Sequence, residues 1–184
     1  MNKELLSTSL FDIIICGMER VQKLEGPLIV VANHKSIFDS LLFAEAISVN
    51  PGLFPLEFCF PENEKEMESA LKILEKSGTI FIYPEGEIFK RTGLKILNDC
   101  AARLAKESKV LVMPAAIVGF ENFSLFWTLV NPKTYWKAYR REKRKIYIVF
   151  GPVFYADQNK PVDRITEDIR NRIRDLYINP RIVG

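Results

Sequence analysis

The chain has 184 residues, 48% of them hydrophobic, with a formal net charge of +3. That is enough apolar material for one compact core, so a single domain over residues 1–184 is the expectation, and so mild a positive balance argues against a nucleic-acid partner. Cys16, Cys59 and Cys100 are odd in number and far apart, and His34 is the only histidine; neither a disulfide framework, paired zinc spacing nor a His-rich metal site fits.

In chain order, the first apolar stretch is LFDIIICGM, from Leu10 to Met18. It is too short to span a bilayer, and Asp12 interrupts it. No basic region followed by a small-residue cleavage site precedes it, so no signal peptide is expected. Free cysteines fit a reducing, cytoplasmic compartment, and any membrane contact would be made from the surface.

LIVVA (Leu28–Ala32) follows Gly26-Pro27 and reads as a buried strand. TIFIY (Thr79–Tyr83), VLVMPAAIV (Val110–Val118) and KIYIVF (Lys145–Phe150) read the same way. Strands without polar alternation predict a sheet covered on both faces. Helices are expected between them. One runs from Ile37 to about Ser48. Another carries Met67, Leu71 and Leu74 on one face and closes at Gly78 as its C-cap. A third presents Leu94, Leu97, Ala101 and Leu104. The last has Ile165, Ile169, Ile173 and Leu176–Tyr177. The fold class is therefore α/β: a single three-layer domain with a mainly parallel or mixed central sheet flanked by helices. In such folds reacting groups gather at the carboxyl ends of the strands, and both His34 and Glu85 directly follow a strand.

VVANHKSIFDSLL (Val30–Leu42) places Asp39 five residues after His34. On a regular helix that is about 500°, so the two meet only if His34 lies in the loop and Asp39 in the first helical turn. Ser36 is a good N-cap for that arrangement. Ser36-x-x-Asp39 also matches a capping box, in which Asp39 does no more than stabilise the helix start. The functional reading is an orienting pair. The carboxylate fixes the imidazole tautomer, and the other ring nitrogen takes a proton from a substrate hydroxyl. No protein nucleophile is then required. Cys59 is the one cysteine whose place in the chain would suit a Cys/His pair, and a buried small side chain is its ordinary reading.

IFIYPEGEIFKRTG (Ile80–Gly93) is either a turn that ends a buried strand or a polar lip for an anionic or hydroxylated substrate. Gly86 beside Glu85 allows close backbone approach, and Lys90 and Arg91 supply positive charge.

Together these stretches resemble the glycerolipid acyltransferase superfamily, typified by 1-acylglycerol-3-phosphate acyltransferases. GPLIVVANHKSIFD matches its histidine, four residues, aspartate motif, and IFIYPEGE its Pro-Glu-Gly motif. VMPAAIVG (Val112–Gly119) is similar to its strand with a central proline, and FGPVFY (Phe150–Tyr155) to its late strand and turn. The resemblance implies transfer of a fatty acyl group from a thioester, on coenzyme A or acyl carrier protein, to a hydroxyl of a lysophospholipid or glycerol-phosphate-type acceptor. His34 would be the general base and Asp39 its orienter. Asn33, Ser36, Glu85, Gly86, Lys90 and Arg91 would bind substrate, with backbone N–H groups after Ser36 as donors to the oxyanion. No metal or other cofactor is implied. The expected location is peripheral, on the inner face of the cell membrane.

The sequence departs from the family pattern in two places. Glu87 and Ile88 stand where threonine and arginine usually follow the Pro-Glu-Gly motif, and no arginine lies between Arg20 and Arg91. Lysine lacks the bidentate fork that suits phosphate. Two other readings follow: an acyltransferase with a non-phosphate acceptor, and a non-catalytic lipid-binding member of the same fold. The usual N-terminal membrane-docking helices reduce at most to residues 1–16, a residual membrane-facing segment.

FWTLVNPKTYWKAYRREKRKIY (Phe126–Tyr147) interleaves Trp127, Tyr135, Trp136 and Tyr139 with six lysines and arginines between Lys137 and Lys145. Rings at headgroup depth beside basic side chains suit an anionic membrane, and a solvated face beside a core aromatic cluster is the plainer reading. Reversing Lys137, Arg140, Arg141 and Lys143 to Glu is expected to weaken co-sedimentation with anionic liposomes; unchanged binding removes this segment from the membrane contact.

Overall fold

Apolar runs become strands because a sheet buried on both faces needs apolar side chains on both. In the computed structural model, residues 3–7, 11–35, 39–48, 50–53, 55–59, 61, 63–85, 98–119 and 144–179 are described. Their strands are β1 (Lys3–Ser7), β2 (Phe11–Cys16), β3 (Leu28–Ala32), β4 (Leu56–Cys59), β5 (Thr79–Ile82), β6 (Leu111–Val118), β7 (Arg144–Phe150) and β8 (Phe154–Tyr155). The order is β1-β2-β7-β6-β3-β5-β4, with β8 also pairing β6. Strands β4, β5, β3 and β6 are mutually parallel. β7 runs antiparallel to β6, and β2 lies parallel to β7. The sheet is therefore mixed, one of the two arrangements expected.

β3 shows how the two faces divide. All five residues are buried. Leu28, Val30 and Ala32 join one apolar cluster with Met18, Phe43, Ala46, Phe81 and Phe150. Ile29 and Val31 join the other, with Met67, Leu74, Leu104, Ile165 and Ile169. The first face is covered by α1 (Met18–Val21) and α2 (Asp39–Ile47), the second by α3 (Glu64–Glu75), α4 (Cys100–Ser108) and α5 (Val162–Ile178). Each fully buried aliphatic or Phe side chain contributes about 1.5–3 kcal/mol relative to exposure, so the face alternation drives the layering.

Local outcomes refine the sequence reading. α5 buries Ile165, Ile169, Ile173 and Leu176, as its periodicity predicts. α3 is capped by Asn63, whose side chain accepts from Glu66 N–H at 3.0 Å. It ends at Glu75, and the left-handed residue is Ser77 (φ 61°), not Gly78. Gly78 instead donates to Ile73 O at 2.9 Å, and a Cβ there would come within 2.6 Å of Ile73 Cγ2. Glycine is needed for close approach, not for left-handed backbone. α4 begins at Cys100; Leu94 and Leu97 lie outside the described residues. Of residues 1–16, the described part forms β1 and β2, because Ile13 and Ile15 bury against the sheet beside Ile146 and Ile148 of β7. Among the described residues no helix is long and apolar enough to cross a membrane.

Pro114 in the middle of β6 would break an ordinary ladder, since it lacks a donor. Its carbonyl accepts from Gly151 N–H at 2.8 Å, so its missing N–H falls on the side where β7 has ended and β8 has not begun. The central proline and the FGPVFY turn answer each other.

Gly17, between β2 and α1, has φ +82°, and a Cβ there would collide with Phe150 O. Arg20 Nη1 donates to the same carbonyl at 2.7 Å. Gly17→Ala is expected to cost more than about 2 kcal/mol in urea unfolding, from clash and left-handed backbone together; a midpoint near wild type would refute the close approach.

Candidate active site

Two parallel neighbours, β3 and β5, end on one rim. β3 leads into Asn33, His34 and Lys35, and β5 into Tyr83, Pro84 and Glu85. α2 starts at Asp39, whose carboxylate is fully buried. Ser36, Gly86, Lys90 and Arg91 lie outside the described residues, as does nearly all of the basic aromatic stretch.

Asn33 ends the strand with its side chain. Its Nδ2 donates to Ile117 O at 2.9 Å, and its Oδ1 accepts from Ile117 N–H at 2.8 Å. The amide mimics one more peptide of the β3–β6 ladder, which otherwise stops at Ala32 paired with Ala115. Asn33, expected to bind substrate, has both amide groups bonded to the β6 backbone, and it fixes where the chain leaves the sheet.

His34 then sits 3.1 Å from Asp39, Nδ1 to Oδ2. A carboxylate only accepts, so the proton lies on Nδ1, and Nε2 carries the lone pair. Among the described residues Nε2 has no hydrogen-bond partner, and the His34 side chain keeps 13% of its surface exposed. The same Asp39 oxygen accepts from Lys35 N–H at 2.6 Å. The capping box would have Asp39 accept from Ser36 N–H, which lies outside the described residues; the contacts described join one oxygen to the Lys35 N–H and to the imidazole.

Glu85, buried at 4% exposure, brings the second motif to the first. Its Oε2 accepts from His34 N–H at 3.5 Å. The Lys35 ammonium lies 5.1 Å over the ring of Tyr177 in the last turn of α5.

Tyr83 and Ser40 are parts of the site that the sequence reading missed. The Tyr83 ring stacks on the His34 imidazole, with centroids 4.2 Å apart and planes 15° from parallel. Tyr83 OH and Ser40 Oγ are 3.2 Å apart. The signal was present in the Tyr-Pro-Glu-Gly order, but which strand neighbours which is not written in either motif. Burial pushes the Tyr83 phenol well above its ordinary range, so it is neutral and serves as a ring and a hydroxyl.

Cys59, at the end of β4, packs with the cluster on the opposite face, near α3 and α4. Burial, then the neighbouring Cys100, Glu57 and Glu66, push its thiol from the ordinary 9.0 up to about 12. Burial likewise pushes Cys100 up to about 11. A protonated thiol on the far face is no partner for His34.

The arrangement is an imidazole with an oriented free nitrogen at the carboxyl ends of parallel strands, which is the geometry of a general base. No family model matches the sequence, and no curated protein matches it. Solved structures do match. One is the 1-acyl-sn-glycerophosphate (LPA) acyltransferase PlsC from Thermotoga maritima, with a TM-score of 0.67 and 14% identity. The match covers 94% of this chain and 73% of that one. The two chains share a fold.

Asn33→Ala leaves the Ile117 N–H and C=O buried without partners. It is expected to destabilise by roughly 2 kcal/mol or more in chemical unfolding. Stability near wild type with loss of substrate affinity alone would return Asn33 to a binding role.

Proposed function

We propose that this chain is an O-acyltransferase of the glycerolipid type, with His34 as general base. The observation that carries the reading is the imidazole held at 3.1 Å by the buried Asp39 carboxylate, with Nε2 left for a substrate hydroxyl. A fold shared with a lysophosphatidate acyltransferase supports the reaction class.

In this reading Nε2 takes the proton of the acceptor hydroxyl as its oxygen attacks the carbonyl carbon of an acyl thioester. Asp39 stabilises the imidazolium that forms. The tetrahedral oxyanion needs hydrogen-bond donors, for which backbone N–H groups following Ser36 in the chain are the candidates. Collapse breaks the C–S bond, and the imidazolium returns its proton to the departing thiolate. An ester and a free thiol result, with no protein acyl intermediate.

The donor is acyl-coenzyme A or acyl carrier protein. The acceptor is a lysophospholipid or a glycerol-phosphate-type alcohol, with Glu85, Gly86, Lys90 and Arg91 as its proposed binding residues. The missing family arginines favour a second reading within the same chemistry, an acceptor without phosphate. They also motivate a lipid-binding protein that transfers nothing. The enzyme would work from the cytoplasm as a peripheral protein on the inner face of the cell membrane, where a soluble acyl donor meets a lipid acceptor.

The test is release of free thiol from long-chain acyl thioesters across a panel of phosphate-bearing and phosphate-free acceptors. His34→Ala is expected to lower turnover by about a thousandfold with the fold retained by circular dichroism. Full activity in that variant ends the proposal. Acyl-chain uptake without thiol release on any acceptor favours the binding protein.

A further inference from the structure

His34 is held at one edge by Asp39, but a single hydrogen bond leaves a ring free to tilt about the Nδ1–Oδ2 axis. The face of the ring is held by something else. Tyr83 stacks on it at 4.2 Å and 15°, and Tyr83 is itself fixed. It is 1% exposed, its ring lies 5.0 Å from Phe81 and 6.2 Å from Phe58, and its hydroxyl reaches Ser40 at 3.2 Å. Ser40 follows Asp39 on α2. The contacts close a circuit: Asp39 to the His34 edge, the His34 face to the Tyr83 ring, and the Tyr83 hydroxyl back to the residue beside Asp39.

We propose that Tyr83 is a positioning residue that sets the plane of the His34 imidazole, and so the direction of the Nε2 lone pair, through ring stacking. This rests on the acyltransferase reading for its kinetic consequence but not for its geometry. Asp39 fixes which nitrogen carries the proton. Tyr83 fixes where the other nitrogen points. Proton transfer depends steeply on that alignment, whereas substrate binding does not. Loss of the ring therefore lowers kcat and spares KM. The hydroxyl is secondary, because the ring keeps its seat against Phe81 and Phe58 without it.

Because His34 is the only histidine, its Cε1–H and Cδ2–H resonances are assigned without a competing imidazole. A ring stacked face to face shields these protons. Tyr83→Leu, and Tyr83→Met as a flexible replacement should leucine not fold, are expected to move them downfield. In thiol release kcat should fall roughly ten- to a hundredfold, with KM changed by less than about threefold. Tyr83→Phe is expected to keep the shielding and to recover most of the lost turnover.

Unmoved histidine resonances in a folded Tyr83→Leu or Tyr83→Met protein overturn the proposal. So does turnover that survives loss of the ring, or a Tyr83→Phe protein as slow as Tyr83→Leu. Should neither ring-less variant fold, nuclear Overhauser contacts in the wild type between His34 Cε1–H and the Tyr83 ring decide: their presence upholds the stack and their absence overturns it. If the wild-type protein acylates no acceptor, the enzyme reading fails separately, and the resonance shifts still test the stack.

Discussion

One carboxylate oxygen organises the rim of this sheet. Asp39 Oδ2 takes the Lys35 N–H at 2.6 Å and the His34 ring nitrogen at 3.1 Å. A carboxylate without water around it is costly unless donors replace the solvent. Here two donors do so, and the position at the first residue of α2 adds the favourable end of the helix dipole. The carboxylate at the first residue of α2 is the one that orients the imidazole. Removing it would release the Lys35 backbone and the ring together.

That oxygen is useful only because the loop it holds begins at a defined place. Asn33 supplies the place by extending the β3–β6 ladder with its side chain. β6 in turn accommodates Pro114 because its partner strand is broken opposite the missing donor. The central sheet is buried on both faces, so a shift of β3 by one residue would exchange its two apolar sets and move His34 to the other side. The register of buried strands thus positions a residue that is not itself in a strand.

Beneath the imidazole lies an aromatic floor. Tyr83, Phe81, Phe58 and Phe43 contact one another with centroid separations from 4.8 to 6.5 Å. Aromatic pairs of this kind contribute about 0.5–1.5 kcal/mol each beyond area burial. Packing of that kind resists small displacements of the rings beneath His34. The cysteines lie elsewhere. Cys59 and Cys100 belong to the opposite face, where burial holds their thiols protonated.

Strands, helix faces and the layer arrangement were legible because they follow from apolar periodicity, which depends on near neighbours in the chain. β3, β5, β6 and β7, and the buried stripe of α5, lie where that periodicity puts them. The His34–Asp39 pairing was legible for the same reason, since both residues flank one helix start. Gly78 misled, because a glycine after a helix signals left-handed backbone, while here neighbouring Ile73 demands a residue without Cβ. The sequence by itself determined the α/β class and the candidate base with its orienter. Only the tertiary structure decided that Asn33 serves β6 and that Tyr83 lies flat on His34. It also drew residues 11–16 into the sheet. Those outcomes depend on which strands become neighbours, and strand order is set by long-range packing that no local pattern encodes.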